Sequence, residues 1–311
     1  MNDQDRRRAG KHQLKYFLAN QYPMWRVAMI QTIKRIMENP IDFYMPFFED
    51  LRRSEEEKAE ETISCEIRNG LIFEALAQSV QAIEDVFSLM QNCDDIAYFA
   101  KHVITYSASK VTKYIRDFDT SNTEFMLKEF GVPYFPLDEP WENQEVFENY
   151  KKAVFLIKEY LDALIAHHAK YYLHYCQYKH GLSVALRPFA TGNPTGDGNP
   201  MSGAVMTFDN KNYLKRSAGQ RGNFMIPHFH PDIAPVISEL HAEDNLLRAD
   251  LRVVDIQEFV DIAEKAYTLI STLHWNMQYA CNVSDEADVH EIALPTEDYK
   301  RLLIIGFPID K

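Results

Sequence analysis

The feature that most limits what this chain can fold into is a long stretch from about Asn143 to Lys179. Within it Val154, Ile157, Leu161, Leu164, His168, Tyr172 and Tyr175 recur every three or four residues. Side chains at that spacing share one face of an α-helix, whereas in a strand they would scatter over both faces, so the stretch predicts a long helix with a buried stripe. Four further segments carry the same period. From Lys15 to Met37 the positions Phe17, Leu18, Trp25, Met29, Ile30, Ile33 and Met37 predict helix, interrupted at Tyr22-Pro23 and ended by Asn39-Pro40. From Glu56 to Gln91 the stripe is Ile63, Ile67, Ile72, Leu76, Val80, Ile83, Phe87 and Met90, opposite Glu66, Gln81 and Asp85. The acidic start, Glu55 to Glu57, suits the positive end of the helix dipole. From Asp95 to Phe118 the stripe is Ile96, Phe99, Val103, Ser107, Val111 and Ile115, with Lys101, Lys110, Lys113 and Arg116 on the other side. A last helix, Asp255 to about Cys281, has Asp255 as its cap three residues before Glu258 and buries Phe259, Ile262, Ala266, Leu269, Leu273 and Met277.

Past Gly181 the pattern changes. Leu182 to Phe189, Ala204 to Phe208 and Phe224 to Phe229 are short β-branched or aromatic runs set between Gly, Pro, Asn and Asp, and predict strands. The stretch Thr191 to Gly203 has turn chemistry throughout and predicts an exposed hairpin loop; it fits no phosphate-binding glycine motif. Glu291 to Leu294 and Arg301 to Phe307 predict a terminal strand pair. The expected fold is mainly α: an up-and-down bundle of four to five long helices with a small antiparallel β insertion and a β-rich C-terminal tail. It is expected as one domain over 1–311, with 182–254 the insertion and 283–311 the tail.

Composition narrows the class. A chain of 311 residues with 46% hydrophobic and 25% charged residues, 19 Phe and 17 Tyr can build a full core. The apolar runs fall far short of the roughly 20 residues a membrane span needs, so no membrane is expected. Met1 to Lys11 is polar, carries Arg6, Arg7 and Arg8, and leads into no apolar run, so no export signal is expected. Cys65, Cys93, Cys176 and Cys281 are widely spaced and read as reduced thiols in a cytoplasmic protein. A formal net charge of -13 argues against loose attraction to nucleic acid, which depends on Lys and Arg neutralising phosphates, but leaves room for a local basic site.

The long helix finishes Tyr175-Cys176-Gln177-Tyr178-Lys179-His180-Gly181 and passes into a strand, with a later helix after an insertion. An earlier helix carries Cys65-Glu66-Ile67-Arg68-Asn69 and Ala82-Ile83-Glu84-Asp85-Val86-Phe87. This arrangement resembles the HEPN-like helical bundle proteins, over roughly Thr62 to Gly181 plus the helix from Asp255. The resemblance implies an up-and-down bundle, homodimerisation and, in some members, metal-independent RNA cleavage in toxin or phage-defence roles. Catalytic members carry an Arg a few residues before the His; here Tyr175 and His174 stand in that stretch and the Arg is absent. Metal-free RNA cleavage needs a base for the 2'-hydroxyl, an acid for the leaving oxygen and a cation for the phosphorane. His180, Lys179 and Tyr178 are the candidates, with His174 supplying part of the missing positive charge when protonated. The competing account is a helix C-cap, with Gly181 left-handed and Lys179 and His180 meeting the negative end of the dipole.

Other constellations are smaller. Lys211, Tyr213, Lys215, Arg216 and Arg221 lie in a segment without acids and form the candidate phosphate or RNA contact, or simply a soluble hairpin. His228 and His230 alternate, so on a strand they would share a side and form a candidate metal pair, although their spacing fits no zinc motif. His167 and His174 are seven residues apart on a helix, about 10 Å, too far to clasp one ion, and with His168 they read as structural histidines. No cofactor motif, nucleophile elbow or HExxH helix occurs. The expected partners are RNA and a second copy of the chain. The rival readings are a non-catalytic protein-interaction module and a metal-dependent hydrolase at His228 and His230.

Overall fold

The computed structural model describes residues 3–38, 43, 60–91, 99, 105, 107–138, 141–180, 184–185, 201–209, 223–225, 248–283 and 289–308. In chain order its helices are α1 (Asp3–Asn20), α2 (Trp25–Glu38), α3 (Glu60–Met90), α4 (Ala108–Asp117), α5 (Thr123–Glu129), α6 (Gln144–His180) and α7 (Ile256–Asn282). The strands are β1 (Val184–Ala185), β2 (Ser202–Asp209), β3 (Asn223–Met225), β4 (Arg248–Asp255), β5 (Val289–Pro295) and β6 (Leu302–Pro308). The protein is therefore mainly helical with small antiparallel sheets and a C-terminal hairpin, as the periodicity predicts. Among the described residues no helix is long and apolar enough to cross a membrane.

The chain groups into two compact units, one made of Met1–Val27, Gln81–Ala169 and Asp261–Lys311, the other of Ala28–Val80 and Lys170–Val260. In the first unit, Leu14 and Leu18 of α1, Phe87 of α3, Ile115 of α4, Leu127 of α5, Ile157 and Leu161 of α6, Leu269 of α7 and Leu294 of β5 belong to one buried core. Each such side chain contributes about 1.5–3 kcal/mol by leaving water. Tyr150 is fully buried. Its hydroxyl donates to the Pro133 carbonyl at 2.9 Å and accepts the Phe135 N–H at 3.1 Å, which ties the proline-rich loop to α6. Asn276 of α7 holds the hairpin in the same way, accepting the Ala293 N–H at 2.7 Å and donating to the Ala293 carbonyl at 3.2 Å.

Local chemistry explains the helix ends. Asn143 accepts the Val146 N–H at 3.2 Å and starts α6. Asp255 accepts the Gln257 N–H at 2.8 Å and starts α7. Short α5, which periodicity alone does not reveal, is delimited by both of its caps. Asn122 accepts the Phe125 N–H at 3.0 Å. At the other end Gly131, at φ 70°, lets its own N–H reach Lys128 and the Val132 N–H reach Leu127. The helix expected from Asp95 to Phe118 is interrupted at Ser107, which is extended (φ -140°, ψ 115°), so that α4 starts at Ala108; of the expected part before it only Phe99, which is helical, and Thr105, in a turn, lie among the described residues. Serine competes with a helix interior for backbone hydrogen bonds and favours caps, which is why it does not continue the stripe.

In the second unit the four-stranded sheet runs β1-β2-β4-β3, all antiparallel, with β2 paired along its length to β4 from Ser202↔Asp255 to Asp209↔Arg248. Ser202 and Gly203, expected in the loop, are strand residues. Gly203, Val205 and Thr207 are buried at alternate positions of β2, and Gly203 lies against α3. A Cβ there would sit 2.7 Å from Ile72 Cγ1 and 3.2 Å from Asn69 Oδ1. The alanine variant Gly203→Ala should therefore lower the unfolding free energy by about 1–3 kcal/mol. Urea denaturation checks this, and in an Ile72→Ala background the added cost should shrink, because the obstructing carbon is gone.

Candidate functional site

The sequence points to the C-terminal end of α6, and there the character of its buried face changes. Leu161 and Leu164 give way to His168, Tyr171, His174 and Tyr178 at the same spacing. A buried phenol keeps its hydroxyl only if it finds a partner. In the second unit two carboxylates meet that need. Tyr178 stacks on Phe73 of α3, with ring centroids 5.4 Å apart and planes 12° apart. Its hydroxyl donates to Glu74 Oε2 at 3.0 Å, while Gln78 donates to Glu74 Oε1 at 2.7 Å. Burial, and then the Glu74 charge and hydrogen bond, push the Tyr178 phenol up to about 12.

One heptad earlier on α6, Tyr171 is fully buried. It donates to Glu258 Oε2 at 2.9 Å, and Lys170 donates to Glu258 Oε1 at 2.7 Å. Phe259 meets the Tyr171 ring edge-on at 5.4 Å, Lys170 Nζ lies 4.7 Å from its centroid and the Arg252 guanidinium 6.0 Å. Burial first, then Glu258, raises the Tyr171 phenol well above its usual range. Glu258 is the third residue of α7, where the helix dipole favours an anion. Lys34 of α2 reaches the neighbouring Gln257 at 2.6 Å. Two carboxylates are thus fixed by tyrosines seven residues apart on α6. Position alone did not announce this role for Glu74, Glu258 and Tyr171; the signal available was the Tyr–x6–Tyr spacing with a His between.

The predicted site residues are distributed as follows. His174 has no exposed surface and lies 6.2 Å from the Tyr171 ring, edge-on. Lys179 is exposed, its Nζ 5.9 Å from the Tyr175 ring. His180 is the last residue of α6, and its side chain lies outside the described residues. Lys211, Tyr213, Lys215, Arg216, Arg221, His228 and His230 also lie outside them. Among the described residues no group of three or more His, Cys, Asp or Glu is placed to hold a metal ion. Cys176 and Cys281 are free thiols. A phenol pushed up to about 12 makes a poor acid–base group near neutral pH.

In the first unit, His167 and His168 are both 4% exposed. Burial, followed by the His167 charge, pushes the His168 imidazole down to about 4. The unfolded chain therefore takes up this proton first. Stability present above about pH 6.5 is lost as pH falls toward 4, by up to about 3 kcal/mol. Urea midpoints measured between pH 7 and 4 should fall accordingly, and less steeply in His168→Gln. In the second unit, Tyr171→Phe should cost about 1–2 kcal/mol through the lost charged hydrogen bond, and Tyr171→Ala about 3–5 kcal/mol through lost packing as well. A Tyr171→Phe variant as stable as the native chain would show that the Glu258 contact contributes nothing. Comparison with models of protein families, with curated proteins and with solved structures gave no match, so the functional reading stands on this chain's own residues.

Proposed function

We propose that this chain is an RNA-associated protein on an HEPN-like helical bundle, of the bacterial stress or defence kind, which binds its RNA without cleaving it. The observation that carries the binding-only reading is the engagement of the α6 acid–base candidates in packing. Tyr178 is spent on Glu74 and Phe73, and His174 is enclosed. The Arg that catalytic relatives of this pattern carry is absent from the residues ahead of His180. A nuclease needs a proton acceptor and a proton donor facing the substrate, with pKa values near the working pH. Binding needs only accessible cations and rings.

The test is to mix the purified chain with labelled single- and double-stranded RNAs in EDTA, reading binding by fluorescence anisotropy and strand length on denaturing gels. The expected result is bound RNA of unchanged length, identical for the native chain and His180→Ala. Cleavage that disappears in His180→Ala overturns the binding-only reading, and failure to bind any RNA removes the RNA reading itself.

A further inference from the structure

In a chain whose formal net charge is -13, α1 is locally cationic. Arg6, Arg7, Arg8, Lys11 and Lys15 face two carboxylates, Asp3 and Asp5, both at the helix start. The cations are not spread evenly around the helix. Arg8, Lys11, His12 and Lys15 follow the i, i+3, i+4, i+7 spacing, which aligns them along one face over about 10 Å. Gly10, Leu14 and Leu18 occupy the adjoining, buried face, and Lys11 and Lys15 at its edge are near enough to Cys281 to act on its thiol electrostatically. Arg8, His12 and Lys15 are exposed and Lys11 is half-buried. Among the described residues Arg8, Lys11 and Lys15 make no ion pair.

Aromatic rings adjoin this stripe, and they too face water. Tyr16 is 72% exposed, Tyr22 64% and Trp25 50%. Tyr16 continues the face of α1, while Tyr22 and Trp25 follow at the turn into α2, closed by the Trp25 N–H bond to the Tyr22 carbonyl at 3.0 Å. Three large rings left in water do nothing for the core. The next cation, Arg26, is committed instead to Asp85 at 3.1 Å and to Gln81 at 2.5 Å.

We propose that the outer face of α1, with Tyr16, Tyr22 and Trp25, is a docking surface for single-stranded RNA. The cations track the phosphates, and the rings offer base-stacking platforms. This rests on reading the protein as RNA-associated and names where the strand lies. Exposed rings that follow the cations in sequence suit a single strand, whose bases are free to stack, better than a duplex, whose bases are already stacked. A membrane surface fits less well, because an interfacial helix needs its apolar face for the lipid and α1 has given Leu14 and Leu18 to the core. The exposed cations of α4, Lys110, Lys113 and Arg116, provide an internal comparison. Arg116 there is paired with Asp117 at 2.9 Å, and Tyr114 is bound to Glu129.

The experiment measures binding of a fluorescein-labelled 12-nucleotide single-stranded RNA by the full chain, by anisotropy across a salt series. In the variant Arg8→Gln/Lys11→Gln/Lys15→Gln, affinity should fall at least about 10-fold at low salt, and the slope of log K against log salt should become shallower by about 2. Trp25→Ala should lose about 10-fold with the slope unchanged. The equal charge change Lys110→Gln/Lys113→Gln/Arg116→Gln should stay within about 2-fold, because it removes no part of the surface. Apart from half-buried Lys11, all substitutions lie at exposed positions, and circular dichroism confirms that each variant is folded. Equal losses in the α1 and α4 variants, or an α1 variant that binds like the native chain, overturn the α1 surface and leave the RNA reading standing. A native chain that binds no RNA overturns both. Preference for phosphatidylserine vesicles over RNA also overturns the proposal.

Discussion

The buried face of α6 sets what the rest of the chain must supply. Where that face is aliphatic, it asks only for shape, and Ile157, Leu161 and Leu164 are met by other aliphatic and aromatic side chains. Where it becomes Tyr171, His174 and Tyr178, it asks for hydrogen-bond partners as well, since an unpaired buried hydroxyl costs about 1–3 kcal/mol. Glu74 and Glu258 answer from two different helices, and each carboxylate takes a second donor, Gln78 or Lys170. Directional bonds therefore help specify the second unit, as the Tyr150 and Asn276 bonds do the first. Directional bonds tolerate less slippage than aliphatic packing does.

That specification bears on function. Tyr178, which looks like catalytic material in a linear motif, and Tyr171 bond α6 to neighbouring helices in this unit. Surface charge follows a different logic. A net charge of -13 describes the chain as a whole, yet salt screens interactions beyond about 8 Å under physiological conditions. A ligand at α1 therefore meets the local cations rather than the distant acids. Acidic composition and a cationic docking face are compatible for that reason.

How much was legible in advance depended on whether the pattern was local. The Asn143 to Lys179 stripe foretells α6 closely, because a helix with one buried face repeats its demand every three or four residues. The break at Tyr22-Pro23, the cap at Asp255 and the terminal hairpin were equally local. β4 was not read. Its exposed Val253 lies between Arg252, partly buried, and Val254, buried, so its apolar residues do not alternate and the period of a half-buried strand is masked. Gly203 looked like a loop residue among turn formers, and its strand role comes from the closeness of Ile72, which is distant in sequence. At the candidate site Tyr178, His174 and Lys179 could be nominated from a motif, but Glu74 and Glu258 could not. Nothing near either glutamate in sequence announces that a tyrosine will arrive there.

Sequence alone thus determined the helical class, the position and length of the longest helix, the local caps and the presence of basic residues at the start of the chain. All of these depend on residues within a turn or two of one another, where geometry is set by backbone stereochemistry and side-chain spacing. Tertiary structure decided which face of α1 meets water, which carboxylate each buried tyrosine finds, and that His174 is enclosed. Those outcomes depend on contacts between segments far apart in the chain. Burial and hydrogen-bond partnership are properties of the packed arrangement, and no single segment carries them by itself.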